Sequence, residues 1–271
     1  PFLGRWKVQF SDSEDPAVAV FDRFHENEVA GTFLTTTGDY RYLHGRVING
    51  TLNLSCFDGA HAFLFQSSVD SKGKQTGTFR SGNWYVTQWE AIQDETAKLP
   101  DAFKETSRAA GKFSELSFPD LDGKRRSLGE AGLFGQVTLV ELFGSWCPNC
   151  HDEASYLQEL QSKYGTQGLK VIGLAFELTG NLESDIAQVR KYVKRFEVEY
   201  PVLVAGVADK REASKSFPVL DRIRSYPTTL FVDRKGEIRA IYTGFSGPAT
   251  GQAHLELREK FERVITQLLD E

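Results

Sequence analysis

The feature that most constrains this chain is a Cys-x-x-Cys pair, Cys147 and Cys150, which lies between a strand pattern and a helix pattern. The apolar run Val137–Phe143 predicts a strand that is buried on both faces. The apolar stripe in residues 153–164 predicts a helix that ends at Gly165. The chain must therefore pass from a buried strand, through both cysteines, directly into a helix.

This placement gives the two cysteines different chemistry. The first turn of a helix leaves backbone N–H groups without partners and carries a partial positive charge, which stabilises a thiolate. Pro148 presets the backbone angle of the first helical position. Two intervening residues place the second sulfur one turn further on, within reach of a disulfide bond. We therefore expect Cys147 to be the exposed attacking sulfur and Cys150 the more buried resolving sulfur.

Downstream of the cysteines, strand patterns alternate with amphipathic helix patterns. A second strand is predicted over 169–176 and a second helix over 186–196, before Pro201. Thr228–Val232 and Ile238–Thr243 predict a hairpin, and a further apolar stripe predicts a last helix. The order strand, helix, strand, helix, strand, strand, helix is typical of an α/β domain with a mixed sheet.

The first part of the chain has a different period. Trp6, Val8 and Phe10 alternate with polar residues, as expected for a strand with one buried face. Asn49-Gly50 and Asp58-Gly59 are strong hairpin signals, and further turn signals follow at intervals of about ten residues. Residues 1–93 are therefore predicted to form an antiparallel β domain, which is a meander, a sandwich or a small barrel.

The predicted domains are joined by a charged, Ala-rich segment. We expect a linker at 94–112, because Pro100 interrupts this segment and Gly111 ends it. The α/β domain then occupies 113–271.

Composition excludes two classes of function. The net charge of −5 argues against a nucleic-acid-binding protein, which needs a surplus of Lys and Arg. No apolar run approaches the roughly 20 residues of a membrane-spanning helix. Because the chain begins at Pro1 and contains no Met, we expect that a signal peptide or lipid anchor has been removed.

Three separated segments resemble one protein family. Residues 116–124 look like its opening hairpin, 146–150 (Trp-Cys-Pro-Asn-Cys) look like its redox motif, and 226–233 (Tyr-Pro-Thr-Thr-Leu-Phe-Val-Asp) look like its cis-proline strand. The C-terminal part of the chain thus resembles the thioredoxin superfamily, and more closely its extracytoplasmic TlpA/ResA-like branch. This resemblance implies a thioredoxin-like fold over 113–271.

The resemblance also implies roles for further residues. Glu141 lies where thioredoxin has a buried Asp, and Glu153 lies where TlpA/ResA-like proteins have a Glu. Either carboxylate is a candidate base for the Cys150 proton, and the choice between them stays open. Pro227 is expected to be cis and to present the backbone of Tyr226 to an extended peptide. With Trp146 and Pro148, these two residues form the expected substrate-binding set.

Several other interpretations of the cysteines compete with this one. An incidental disulfide is one, and covalent haem attachment is another, because His151 completes a Cys-x-x-Cys-His sequence. A peroxiredoxin-like thiol peroxidase is the main alternative, although Val140 stands where its loop carries a Pro and Gly144 stands where it carries the peroxide-binding Thr or Ser. The strand pattern favours core packing for Cys56. No metal-ligand spacing is present, so we expect no metal site.

Together these features predict a thiol–disulfide oxidoreductase that acts on protein disulfides, with reduction as the favoured direction. No dissociable cofactor is expected beyond the redox-active Cys147–Cys150 pair. The resemblance implies an extracytoplasmic location, a bacterial periplasm, with a membrane-embedded or thioredoxin-like electron donor. In a second alternative, the β domain is the working part and binds a partner.

Overall fold

The computed structural model of the protein describes residues 1–129 and 135–271, and it divides into two compact units. The first unit contains Pro1–Pro100 and Ser246–Leu255. The second contains Asp101–Phe245 and Glu256–Glu271. The break after Pro100 lies inside the segment predicted to be a linker.

The first unit is an antiparallel barrel. Its strands are β1 (Gly4–Phe10), β2 (Ala17–His25), β3 (Glu28–Thr35), β4 (Gly38–Asp39), β5 (Leu43–Ile48), β6 (Thr51–Phe57), β7 (Ala62–Val69), β8 (Gln75–Ser81) and β9 (Tyr85–Gln93). Each long strand pairs with the next long strand, and β9 returns to pair with β1. Without the two-residue β4, the nine-stranded sheet is a closed ring of eight strands. The predicted antiparallel β domain is confirmed, and of its three predicted forms it takes the barrel.

Aromatic side chains fill the barrel. Phe33 stacks on Phe65 with ring centroids 4.2 Å apart, and Phe65 stacks on Phe79 at 4.3 Å. A ring of eight strands is just wide enough for side chains to fill it. The interior is therefore a packed core, against which the half-buried Cys56 also packs.

The Asn49-Gly50 signal marks a turn between β5 and β6, as expected. Both residues have positive φ, 49° for Asn49 and 78° for Gly50. This is the backbone that a two-residue type I′ hairpin turn requires, and Asn and Gly adopt it at the least cost.

The segment Ser246–Leu255 belongs to the first unit. The sequence pattern had placed it in the predicted α/β domain, 113–271, and that placement is wrong. The Asp39 carboxylate accepts a hydrogen bond of 2.6 Å from the Gly247 N–H, and Ala253 packs with Val18 and Leu34. These contacts join positions more than 200 residues apart, so no local pattern indicates them.

The rest of the chain forms two sheets and four helices within the described residues. The elements are β10 (Ser117–Pro119), β11 (Arg125–Ser127), β12 (Val137–Phe143), α1 (Pro148–Tyr164), β13 (Leu169–Glu177), α2 (Leu182–Arg195), β14 (Val202–Val207), α3 (Lys210–Ser216), β15 (Thr228–Val232), β16 (Ile238–Thr243) and α4 (Gln252–Asp270). The larger sheet has the order β14-β13-β12-β15-β16, with parallel and antiparallel pairs. The predicted mixed sheet is confirmed. In the described part of the chain, no helix combines the length and the apolar character needed to cross a bilayer.

The sequence pattern missed β14 and α3. Val202–Val207 is a short apolar run directly after Pro201, and we interpreted that proline only as the end of a helix. In the structure β14 pairs in parallel with β13 at the edge of the sheet.

The barrel core gives a stability prediction. Phe33 is fully buried and contacts five other aromatic rings, so Phe33→Ala should lower the free energy of unfolding of the barrel by about 3–5 kcal/mol. Phe24→Ala, at a side chain that is 59% exposed, is the matched control and should cost less than about 0.5 kcal/mol. Urea unfolding followed by circular dichroism measures both changes. Equal losses in the two variants would contradict a packed interior.

Candidate active site

The two cysteines lie at the start of α1, directly after the central strand β12. Cys147 is the N-cap residue, with extended backbone angles, and Pro148 occupies the first helical position. Cys150 follows one turn later, inside the helix. The strand therefore delivers Cys147 to the end of the helix where partial positive charge accumulates, as the sequence predicted.

The two sulfurs are neighbours, and both cysteines are free thiols. The Cys150 thiol is hydrogen-bonded to the Cys147 sulfur. Burial raises the pKa of Cys150 well above its ordinary value, and the nearby Cys147 and Glu141 raise it further. Cys150 therefore holds its proton firmly and needs a base before it can attack a disulfide.

Cys147 is less exposed than we expected. Its side chain is only 5% exposed, against 0% for Cys150. The Tyr226 carbonyl lies beside it and accepts a hydrogen bond from its thiol at 3.5 Å. The order of burial agrees with the expectation, but the prediction of a freely exposed attacking sulfur is wrong.

Two carboxyl groups lie buried behind the cysteines. Glu141 on β12 and Glu153 on α1 are both 0% exposed. The Tyr200 hydroxyl donates to Glu141 Oε2 at 3.0 Å, and the Thr229 hydroxyl donates to Glu153 Oε1 at 2.6 Å. The remaining oxygens, Glu141 Oε1 and Glu153 Oε2, have no hydrogen-bond partner among the described residues.

This burial changes the acidity of both groups. It raises the pKa of Glu153 to about 8, against an opposing hydrogen bond from Thr229. It also raises the pKa of Glu141 well above its ordinary value, and the charge of Glu153 adds to the effect. Glu153 therefore binds its proton in the range where thiols titrate, and Glu141 keeps its proton to a higher pH than an exposed Glu does.

The expected substrate-binding residues lie around Cys147. The Tyr226–Pro227 peptide bond is cis. The Trp146 ring meets the Tyr226 ring edge-on, with centroids 5.8 Å apart. Trp146 is half-buried, whereas Pro148 and Pro227 are buried.

The sequence did not indicate how the loop before Cys147 is held. Ser145 donates two hydrogen bonds to the buried carboxylate of Glu177, from its N–H at 2.8 Å and its hydroxyl at 2.7 Å. Trp146 Nε1 donates to the Phe176 carbonyl at 3.0 Å. Burial raises the pKa of Glu177. A Glu at the end of a mostly apolar strand, β13, was the available signal.

His151 also holds this loop. Its Nε2 lies 2.9 Å from the Ser145 carbonyl, and its ring packs on Phe196 with centroids 4.5 Å apart. His151 is therefore half-buried and is not a freely exposed helix residue. An Nε2–H that donates to a carbonyl is unsuited to ligate iron, so the haem alternative loses support.

Metal binding finds no support in the geometry. The described residues contain no group of three or more His, Cys, Asp or Glu side chains arranged to hold a metal ion.

Known proteins were compared with this chain, and the matches lie in its C-terminal part. Residues 109–241 match the AhpC/TSA family. The thioredoxin-like protein YneN of Bacillus subtilis is 29% identical over 130 residues, which are 48% of this chain and 68% of that protein. The thiol-disulfide oxidoreductase ResA of Halalkalibacterium halodurans is 26% identical over 145 residues, 53% of this chain and 73% of that protein. A solved structure of a putative thiol:disulfide interchange protein DsbE from Chlorobium tepidum covers 60% of this chain and 98% of its own, with 19% identity and a TM-score of 0.46.

The family match and the curated relatives confirm the expected resemblance to the thioredoxin superfamily. The second unit is a thioredoxin-like domain, and the relatives that match it include the thiol-disulfide oxidoreductase ResA. The barrel strands lie outside the matched residues 109–241.

The buried carboxyls predict how stability depends on pH. The folded pKa of Glu153, about 8, lies above its ordinary value of 4.5, so between these values the unfolded chain loses a proton that the folded protein keeps. This group therefore lowers the free energy of unfolding by up to about 1.4 kcal/mol for each pH unit of rise. Urea titrations between pH 5.5 and 7.5 should show a flatter pH dependence in Glu153→Gln than in the wild type.

Glu183→Gln, at an exposed position of α2, is the control and should keep the wild-type pH dependence. If Glu153→Gln also keeps the wild-type slope, the carboxyl is ionised in the folded protein and the account of its burial is wrong.

Proposed function

We propose that this protein reduces disulfide bonds in other proteins through Cys147 and Cys150. The observation that carries the proposal is the arrangement of the sulfurs. Cys147 lies at the N-cap of α1 beside the Tyr226 carbonyl. Cys150 is fully buried and hydrogen-bonded to the Cys147 sulfur, and two buried carboxyls, Glu141 and Glu153, lie nearby. An attacking sulfur, a shielded second sulfur and a proton acceptor are the groups that disulfide exchange needs.

The reaction proceeds in two displacements. The Cys147 thiolate attacks a substrate disulfide, forms a mixed disulfide and releases one substrate thiolate, which takes a proton from water. Cys150 then gives its proton to a buried carboxylate, and its sulfur attacks Cys147. The bond between Cys147 and the substrate breaks, the second substrate thiolate leaves, and a Cys147–Cys150 disulfide forms. The substrate is then reduced and the protein is oxidised by two electrons. A donor protein later returns two electrons and two protons to this disulfide.

Both Glu141 and Glu153 are suited to accept the Cys150 proton. General base catalysis works best when the proton affinities of the donor and the acceptor are close. Burial raises the pKa of both carboxyls toward those of thiols. The rate of the second displacement should therefore rise with pH through about 8.

The substrate site is proposed to be the surface formed by Trp146, Pro148, Tyr226 and Pro227. An extended peptide there would pair with the backbone of Tyr226, as an added strand does. No dissociable cofactor enters the reaction. The family resemblance supports an extracytoplasmic location, a bacterial periplasm, and a membrane-embedded or thioredoxin-like protein as the electron donor.

Replacement of single cysteines tests the proposal. Cys147→Ser should reduce insulin reduction at least about a thousandfold, because the nucleophile is lost. Cys150→Ser should trap a covalent adduct with the substrate, visible by non-reducing electrophoresis. Cys56→Ser, which changes the packed barrel cysteine, is the control and should keep wild-type activity. Insulin reduction that survives Cys147→Ser would contradict the proposal.

Hydrogen peroxide separates this function from the peroxidase alternative. Val140, inside β12, replaces the Pro of the peroxide-binding loop, and Gly144 has no side chain to supply the hydroxyl of its Thr or Ser. Oxidation of the reduced protein by hydrogen peroxide should therefore be slower than its oxidation by a protein disulfide. A faster reaction with peroxide would favour the peroxidase.

Exposed aromatic residues favour the barrel as a partner-binding module that serves the same reaction. Phe57 at the end of β6 and Trp84 before β9 are each 75% exposed, and both lie at the same end of the barrel. Replacement of both by Ser should weaken turnover of a protein substrate but leave reaction with a small disulfide unchanged. If the variant turns over the protein substrate as fast as the wild type does, that end of the barrel has no binding role.

A further inference from the structure

The proton that Glu141 accepts needs a route to solvent. Glu141 has no solvent contact, and it lies close enough to Cys147 and Cys150 to interact with both electrostatically. In the mixed disulfide, the substrate covers Cys147. Release of the proton on that side would then have to pass through the substrate contact.

The hydrogen-bond partner of Glu141 lines a cavity that is separate from the proposed substrate surface. Tyr200 precedes β14 and is 3% exposed, and its hydroxyl donates to Glu141 Oε2 at 3.0 Å. The same residue lines a cavity of about 700 Å³. The cavity is bounded by the segment that joins β10 to β11 and by residues of β13, α2 and β14. Among the described residues, its lining includes neither cysteine, nor Trp146, nor Tyr226.

Water can reach this cavity. Its lining includes the exposed side chains Asp122, Lys124 and Arg126. The volume is many times that of a single water molecule. Tyr200 therefore contacts a buried carboxyl through its hydroxyl and also lines a water-accessible cavity.

We propose that the Tyr200 hydroxyl carries protons between Glu141 and the water in this cavity, on the side of the domain away from the substrate. The inference rests on the proposed function. After Cys150 gives its proton to Glu141, the Tyr200 hydroxyl turns its proton from Glu141 Oε2 toward the cavity, and the Glu141 O–H bond breaks as its proton passes to the Tyr200 oxygen. The original Tyr200 proton passes to water, and the phenol is restored. No electrons move in this step, and Tyr200 acts as a positioning residue through Glu141.

Other groups also face Glu141 and influence its titration. These are Glu153 on α1, Cys147 and Cys150 at the start of α1, Tyr192 on α2 and Tyr200 itself. The Tyr200 hydrogen bond lowers the pKa of Glu141, whereas burial, Glu153 and Cys147 raise it. Loss of the Tyr200 hydroxyl should therefore move the pH dependence of the second displacement to higher pH.

Tyr200→Phe tests the relay in the reduced full-length protein, with 4,4′-dithiodipyridine as oxidant. Attack by Cys147 releases one coloured thiopyridone, and attack by Cys150 releases the second, so the two phases report the two displacements separately. Tyr200→Phe should slow the second phase about tenfold and shift its pH profile upward, with less than about a twofold change in the first phase. Rates in heavy and normal water should show a changed solvent isotope effect in the second phase.

Two controls separate the relay from a structural role. Tyr164→Phe removes a similar hydrogen bond, from a phenol to the Glu262 carboxylate at 2.7 Å, at the far end of α1, and should leave both phases unchanged. In the Glu141→Gln background, Tyr200→Phe should have no further effect on the second phase. Circular dichroism establishes that each variant is folded.

The relay is overturned if Tyr200→Phe leaves the second phase unchanged or slows both phases equally. It is also overturned if Tyr200→Phe slows the second phase as much in the Glu141→Gln background as in the wild-type background. This test does not use a protein substrate. Failure of the relay is therefore distinguishable from failure of the proposed function, which the Cys147→Ser variant reports.

Discussion

The site depends on the burial of Cys150, Glu141 and Glu153 in one apolar layer. A charge in such a layer is costly, so each of the three groups favours its protonated form. This makes the resolving thiol unreactive until a substrate is attached to Cys147. It also raises the proton affinity of the carboxyls until they can exchange a proton with a thiol. The same burial thus shields the second sulfur and supplies its base.

Strand register produces this layer. On β12, Glu141 pairs across the sheet with Thr229 of β15, whose hydroxyl binds Glu153 on α1. The same strand ends just before the loop that carries Cys147 to the start of α1. A shift of β12 by one residue would turn Glu141 to the opposite face of the sheet, because side chains alternate along a strand. The central strand therefore sets the positions of the acid and the sulfurs together.

The sequence predicts those parts of the site that are local. The strand, the cysteine pair and the helix all lie within residues 137–164, and their patterns are sufficient to predict the order of burial of the two sulfurs. Tyr200 and Glu177 were not predicted, because they reach the site from other parts of the fold, 59 and 32 residues from their partners. The grouping of Ser246–Leu255 with the barrel was missed for the same reason. The low exposure of Cys147 also depends on a distant residue, Tyr226.

The protonation of the buried carboxyls can be measured directly by NMR in protein labelled with ¹³C at the Glu side-chain carboxyl carbons. Our account predicts two Glu resonances that titrate well above the ordinary value of 4.5, one absent in Glu141→Gln and the other, which titrates near 8, absent in Glu153→Gln. If every Glu resonance titrates below pH 5, both groups are ionised at neutral pH, and burial does not supply the base that this account requires.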